Sequence, residues 1–519
     1  MQIHLVEPAP AGHNVYDLSR LPRLGLPLIA TLLEELGHDV RISCEVLAPV
    51  DLERCLHADL VGISATTATA PAAYRLADLL AEVGVRVVLG GPHVTYCAGE
   101  ALEHAPFVVR GEGQETILDL VSCLEGRGEL AEVSGLSQRG EDGKPLHNPD
   151  RPRCAQAAFE RLPAPRLSLI DGHERMSTMP VMTQWGCPFD CEFCSVSAQF
   201  SRRVRHRRAD QVVEELRDLG ASRVFFYDDN FVVNKARTSA LLRAMLEADV
   251  QVPFFAQMRA QAALHSGADR ETDDEFLGLL ARSGAEMVML GIETITDQAL
   301  AEINKRQNVE TVVRAIGAFH RHRIAVHGMF IAGLDVDDAR SAEATADFAR
   351  RIGIDTFQLM VETPLPGTRL WDRVVAEQRV FVEDWSLFDG HHVVMQPAKM
   401  TPLTLQLSVL RAMRRFYSWP TIASSGLATT LAHLPEILGM TNRRTLLMLP
   451  SLARAARARH YEEVPVLLRA AVPERALARL TGAFWLPALR LYARLQLRAL
   501  QAQPTTRAHL AALAALEAL

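Results

Sequence analysis

Cysteine is scarce in this chain, eight residues among 519. Five of the eight, Cys44, Cys55, Cys97, Cys123 and Cys154, stand apart without paired spacing. That excludes a disulfide framework and predicts free, mostly buried thiols in a reducing compartment. Long apolar runs are missing too: nothing approaches the ~18 uninterrupted apolar residues of a membrane span. The opening, MQIHLVEPAPAG, lacks the basic and apolar regions of a signal peptide, so a cytoplasmic protein is expected. Nor is positive charge in excess. With 55 Lys and Arg against 62 Asp and Glu, the net charge of −7 argues against nucleic acid as a partner.

What is present begins as an alternation. Short β-branched runs at 3–7, 39–43, 60–65, 85–90 and 107–111 are separated by amphipathic segments such as PLIATLLEELG (27–37) and AAYRLADLLAEVG (72–84). This is the pattern of a parallel α/β sheet, and it predicts a Rossmann-like (flavodoxin-like) domain over 1–125. Ligands of such sheets sit at the carboxyl ends of the strands. The residues there are Ser64-Ala65-Thr66-Thr67, Gly90-Gly91-Pro92-His93 and Gly111-Glu112-Gly113. Their small size leaves room for a broad ligand.

Residues 126–178, rich in Gly, Pro and charge without periodicity, are expected to be a linker. From 179 the alternation resumes, with apolar runs at 181–186, 224–229, 253–258, 287–293, 326–333 and 356–362. Six β/α units predict a partial (β/α)6 barrel of the TIM type over 179–398, with chemistry at the carboxyl ends of its strands.

The other three cysteines interrupt the scarcity. In GCPFDCEFCSVS (186–197), Cys187, Cys191 and Cys194 follow the first of these strands with C-x3-C-x2-C spacing. A structural zinc site takes four ligands, commonly two close pairs, and the chain has no second pair. Ferredoxin-type clusters also use four cysteines. Three thiolates on a four-iron cluster leave one iron open to a substrate or cofactor.

The stretch Cys187-Pro-Phe-Asp-Cys191-Glu-Phe193-Cys194 resembles the signature of the radical S-adenosylmethionine (SAM) superfamily. The resemblance implies a [4Fe-4S] cluster whose open iron chelates SAM, and a 5′-deoxyadenosyl radical that abstracts hydrogen from substrate. It also implies SAM contacts at Phe193, Asp228, Asp229, Gln257, Glu293, Ile331 and Gly333. The first domain is similar to cobalamin-binding domains, in which a serine element precedes a Gly-Gly pair by the interval that separates Ser64 from Gly90. That likeness implies cobalamin contacts at Ser64, Thr66, Gly90, Gly91, His93, Gly111 and Glu112. The family's lower-ligand motif, Asp-x-His-x-x-Gly, is replaced here by Asp17-Leu18-Ser19-Arg20-Leu21-Pro22, so a histidine below the cobalt is not expected. Together the domains resemble the cobalamin-binding radical SAM group over about 1–415, including TPLPGT (363–368). That group implies methyl transfer to an unactivated carbon of a hydrophobic or natural-product substrate. Oxidative cyclisation of the anaerobic-cyclase type remains an alternative, as does a non-catalytic corrinoid or electron-transfer protein. An external one-electron donor such as ferredoxin or flavodoxin is implied as partner.

The final part, 399–519, predicts a helical region. From residue 440 it holds twelve Arg, no Lys and four Glu, or +8, leaving −15 for the rest. Arg490, Arg494 and Arg498 form a stripe at helical spacing among leucines and aromatics. Such a helix suits either a solvated helical subdomain or peripheral contact with an anionic membrane and a lipid substrate.

Overall fold

The computed structural model describes residues 1–10, 21–265, 271–418, 420–421 and 474–518, with side chains given from 486 onward in the last stretch. It divides into two compact units, Met1–Ala412 with Leu500–Leu519, and Met413–Ala499.

The first unit opens with a seven-stranded sheet in the order β2-β1-β3-β4-β5-β6-β7. Its parallel part comprises β1 (Gln2–Glu7), β2 (Asp39–Cys44), β3 (Leu60–Ser64), β4 (Val87–Gly90) and β5 (Phe107–Val109). These strands read as unbroken apolar runs because both of their faces are covered. Ile3, Leu5, Val40 and Ile42 pack with Leu33, Ile117 and Leu120 on one face, and Val6, Val61, Ile63 and Leu89 pack with Ala73, Ala77 and Leu80 on the other.

The expected linker is partly sheet. β6 (Leu136–Arg139) and β7 (Pro145–His147) form an antiparallel hairpin that extends the first sheet from β5. All three residues of β7 are exposed, so this edge has no apolar alternation to betray it in sequence.

A second sheet of six parallel strands follows in the order β15-β14-β13-β12-β11-β8, the partial barrel. Its members are β8 (Met179–Val181), β11 (Val224–Phe226), β12 (Phe254–Met258), β13 (Ala285–Glu293), β14 (Ala325–Ala332) and β15 (Thr356–Val361). Between β8 and β11 a two-residue hairpin pairs β9 (Gln184–Trp185) with β10 (Arg205–His206). On β12, β14 and β15 buried and half-buried residues alternate. Register aligns the half-buried set in rows: Gln257, Met289 and His327 in one, Met329 and Gln358 in the next, Ile331 and Met360 above them. These rows line the lumen. Gly328, Phe330 and Phe357 point the other way, and a Cβ on Gly328 would lie 3.1 Å from Ile354, in the turn after the helix Ser341–Arg351.

The C-terminal region is helical where it is described, with helices Pro402–Phe416, Glu474–Ala502 and Pro504–Ala518. The last of these belongs to the first unit, where Thr506 Oγ1 meets His392 Nε2 at 3.1 Å. In the second unit, Arg494 donates to the Tyr417 carbonyl, while Leu491, Tyr492 and Leu495 are exposed. Among the described residues no helix is long and apolar enough to cross a membrane.

Candidate active site

The thiols sit on a loop that the strand ends beneath it hold in place. β9 runs into Gly186 at φ +86°, where a Cβ would stand 2.1 Å from the Arg203 carbonyl, so only glycine lets the chain turn into Cys187. Asp228, at the end of β11 and 0% exposed, accepts from Thr183 N at 2.7 Å, from Gln184 N at 3.1 Å and from the Thr183 hydroxyl. Burial pushes its pKa up to about 7 against those hydrogen bonds. Its neighbour Asp229 has a different situation. Its surface is exposed, yet surrounding protein pushes its pKa up to about 6 against one bond from Gly186 N at 3.1 Å.

Cys191 is buried, and Cys187 and Cys194 are half-buried. Burial, with the neighbouring Cys191 adding to it, raises the Cys187 thiol and pushes Cys194 up to about 11. The Arg259 guanidinium is the cation facing Cys191 and Cys187; it lies 3.9 Å from the Phe189 ring and donates to the carbonyls of Lys305 and Arg306. Among the described residues, His93, Cys97 and Glu100 are the set that brings three metal-ligand atoms within 4.8 Å of one another. The three loop thiols are not gathered that tightly. A single zinc would need sulfurs about 3.8 Å apart, from Zn–S bonds of about 2.3 Å, whereas a multi-iron cluster spans a wider tripod. The donor set therefore fits a [4Fe-4S] cluster with three protein ligands.

Around the mouth, Phe193 and Ile331 each pack against the cluster of Ala299, Ile303 and Leu334, and Phe193 also packs against that of Leu370 and Val374. Gln257 faces the lumen from β12. Glu293 ends β13 at φ +69° beside a register shift and accepts from Lys305 Nζ, both side chains being buried. Gly333 (φ +98°) donates to Asp337 at 2.9 Å, and a Cβ there would meet Leu405 at 2.7 Å.

At the first sheet, Ser64 pairs with Gly90 across β3 and β4. Gly91 (φ +103°) folds so closely that a Cβ would fall 2.6 Å from the Ala65 carbonyl, while a Cβ on Gly90 would meet only the Val109 carbonyl, at 3.9 Å. Thr66 bonds Thr69 through its backbone N and its hydroxyl, and Gly111 N donates to Thr95 Oγ1 at 3.1 Å. This is a half-open shelf of small residues, which fits a corrinoid. Residues 17–20 of the lower-ligand position lie outside the described residues.

Of the expected contact residues, Asp228, Glu293 and Glu112 accept hydrogen bonds from the protein itself, and His93 is packed away from solvent. Besides Asp228 and Glu293, Glu112 accepts from Arg205 and, at 2.9 Å, from Cys154 N. His93 is 1% exposed, its ring edge-on to Trp385 with centroids 4.9 Å apart; its Nε2 stands 3.9 Å from Glu100, and neither ring nitrogen has a hydrogen-bond partner. Glu100 in turn accepts from the Trp385 indole at 3.0 Å, and His93 first, then Trp385, hold that carboxyl below its ordinary range. Both residues therefore tie the first sheet to the barrel side.

Glu362 was not expected. It continues the lumen-facing parity of Gln358 and Met360, is 3% exposed, and leaves Oε2 without a hydrogen-bond partner. Burial first, then Asp335 and Glu192 against Arg373 and Arg379, pushes its pKa up to about 8. Its only sequence signal was an acidic residue closing the sixth apolar run.

Fold and thiol tripod define a class: an iron–sulfur enzyme whose barrel opens beside a ligand-binding α/β sheet. Comparison with known proteins agrees. The radical SAM superfamily model matches residues 181–349, and the B12 binding domain model matches 17–121. An uncharacterized methyltransferase of Pyrococcus horikoshii is 30% identical, over 77% of this chain and 89% of that protein. Bacteriochlorophyllide d C-12(1)-methyltransferase of Chlorobaculum tepidum is 28% identical over 69% of this chain and 75% of its own. The structure of the cobalamin-dependent radical enzyme OxsB with aqua-cobalamin and SAM bound has the same fold, with TM-score 0.63 at 15% identity, covering 99% of this chain and 83% of that one. The chain belongs to the cobalamin-dependent radical SAM methyltransferase family, and its cofactors are a [4Fe-4S] cluster, SAM and cobalamin.

Proposed function

We propose that this enzyme methylates an unactivated carbon of an apolar substrate lying between the barrel mouth and the strand ends of the first sheet. The observation that carries the reading is the lumen wall, where Phe255, Met289, Met329, Ile331 and Met360 present apolar surface, with Gln257, His327 and Gln358 as polar points between them and Glu362 beyond. His327, the basic member of these rows, is kept below its ordinary pKa by burial and engages Thr356 and Gln358 through its ring nitrogens, so it enters the lumen neutral. A wall of this kind binds by apolar contact and keeps water from a carbon-centred radical. Bound together, the cofactors supply one-electron cleavage of a sulfonium and a methyl group carried on cobalt. The chain holds, orients and shields. Cys187, Cys191 and Cys194 hold the cluster with Arg259 opposing their charge. Phe193, Asp229, Gln257, Ile331 and Gly333 border SAM, and Ser64, Thr66, Gly90, Gly91 and Gly111 form the corrinoid shelf.

The test is an anaerobic reconstitution with SAM, a reductant and apolar candidates, tetrapyrrole esters and polycyclic lipids first. Methylated product rising with 5′-deoxyadenosine and S-adenosylhomocysteine is expected. Deoxyadenosine with a ring-closed or oxidised product and no S-adenosylhomocysteine would give the cyclase reading instead.

The exposed Leu491, Tyr492 and Leu495 on a helix that carries Arg490 and Arg498 favour peripheral contact with an anionic membrane. Flotation with anionic liposomes is expected to retain the chain and to lose it when these three become Ser; no retention of the intact chain removes the contact.

A further inference from the structure

The outer face of the cysteine loop carries a charge pattern that stability does not explain. Asp190 lies between Cys187 and Cys191, and three arginines from three separate segments converge on it. Arg202 approaches at 3.5 Å, Arg306 at 3.3 Å and Arg369 at 3.9 Å, and their side chains are 59%, 62% and 58% exposed. One carboxylate cannot balance three guanidinium groups, so the face keeps about two positive charges. Asn304 already donates to Asp190 at 2.7 Å. Asp190 itself is 19% exposed, but the arginine ends stand in solvent, which screens each pair and keeps its contribution to folding on the order of 1 kcal/mol. Arg369 also opens the helix Arg369–Ala376, where the positive end of the helix dipole disfavours a cation. The nearest other acid on the loop, Glu192, is taken up by Arg373 at 2.8 Å. At the centre of the patch Pro188 is exposed and Phe189 half-buried, giving an apolar middle with a charged rim.

The patch is also wired to the thiols. The Arg306 carbonyl accepts from Arg259 at 3.1 Å, and Arg259 faces Cys187 and Cys191. A chain with net charge −7 thus shows a basic face directly over its cysteine tripod.

We propose that Arg202, Arg306 and Arg369, around Pro188 and Asp190, form the docking face for a small acidic one-electron carrier protein that reduces the cluster. The inference rests on the cluster reading above. At this interface the carrier loses one electron and the cluster gains it; no bond forms or breaks and no proton is transferred. Opposite charge steers the encounter and sets its salt dependence, while the apolar centre brings the two redox groups close.

The experiment uses reconstituted holoenzyme and a reduced acidic flavodoxin as probe, with Ti(III) citrate as the small reductant in parallel. Cluster reduction is followed by bleaching of its visible absorption, binding of the oxidised flavodoxin by calorimetry, and SAM cleavage as deoxyadenosine. In the triple variant R202E/R306E/R369E, flavodoxin binding and flavodoxin-driven reduction are expected to fall at least tenfold at low salt, with the salt dependence flattened, while Ti(III)-driven cleavage is unchanged. The milder triple variant with Gln at the same positions, checked for full iron and sulfide content, should show an intermediate loss. Wild-type rates with flavodoxin in the charge-reversed protein, or equal losses with both reductants, would overturn the docking face. Failure of the wild type with Ti(III) would instead defeat the cluster reading.

Discussion

Two sets of strand ends carry the residues expected at the cofactors, and they are built differently. The first sheet presents small residues, Ser64, Gly90 and Gly91, and folds its larger polar residues away to the side. His93 goes under Trp385 and Glu112 to Arg205. The barrel mouth presents reactive groups, three thiols with Asp229, and anchors them from below with Asp228 and the Glu293–Lys305 pair. One surface is shaped by what was left out, the other by what is held in place. At both, polar residues at strand ends such as Asp228 and Glu112 bind neighbouring segments, because a side chain at that position can reach a neighbouring segment as easily as a ligand.

The largest effect is expected at the thiols. Cys187→Ala, Cys191→Ala or Cys194→Ala should each lower deoxyadenosine formation by more than about a hundredfold, measured anaerobically after reconstitution. Next comes the contrast between the adjacent aspartates. Asp228→Ala leaves the N–H groups of Thr183 and Gln184 unpaired and is expected to cost about 2–4 kcal/mol in denaturant unfolding. Asp229→Asn should unfold like the wild type yet cleave SAM at least about tenfold more slowly.

At the first sheet the same contrast inverts. His93→Ala should lose roughly 2–3 kcal/mol of stability through its emptied place against Trp385 while still taking up corrinoid. Gly90→Ala, whose one added carbon meets nothing closer than 3.9 Å, should fold and weaken corrinoid uptake, read as the visible spectrum of the purified protein. The smallest effect concerns Glu362. Its pKa is raised from 4.5 to about 8, so between those values the folded chain holds a proton that the unfolded chain releases, and stability falls as pH rises through that window. Glu362→Gln should flatten this slope and make the protein more stable than wild type by roughly 1–3 kcal/mol at pH 9, in thermal or urea unfolding.

Much of this was legible in the sequence, for a physical reason. Parallel strands covered on both faces are largely apolar, so the eleven of them left eleven runs, although the run at 181–186 meets β8 (Met179–Val181) only at Val181 and otherwise covers β9; the polar hairpin β6–β7 at the sheet edge was not visible. The thiol spacing is local and survives folding unchanged. The direction of a strand-end side chain is not local. Whether His93 faces a ligand or Trp385, 292 residues later, depends on how the two sheets meet. The arginines around Asp190 were equally hidden, since Arg202, Arg306 and Arg369 become neighbours only when the barrel closes.

Three thiols hold a four-iron cluster with one iron left for SAM. Mössbauer spectroscopy of the protein reconstituted with 57Fe, recorded before and after adding SAM, tests it most directly. Four irons per chain, one of which changes its isomer shift when SAM binds, is the expected result. A spectrum that SAM leaves untouched, or a protein that takes up zinc in place of a cluster, would contradict it.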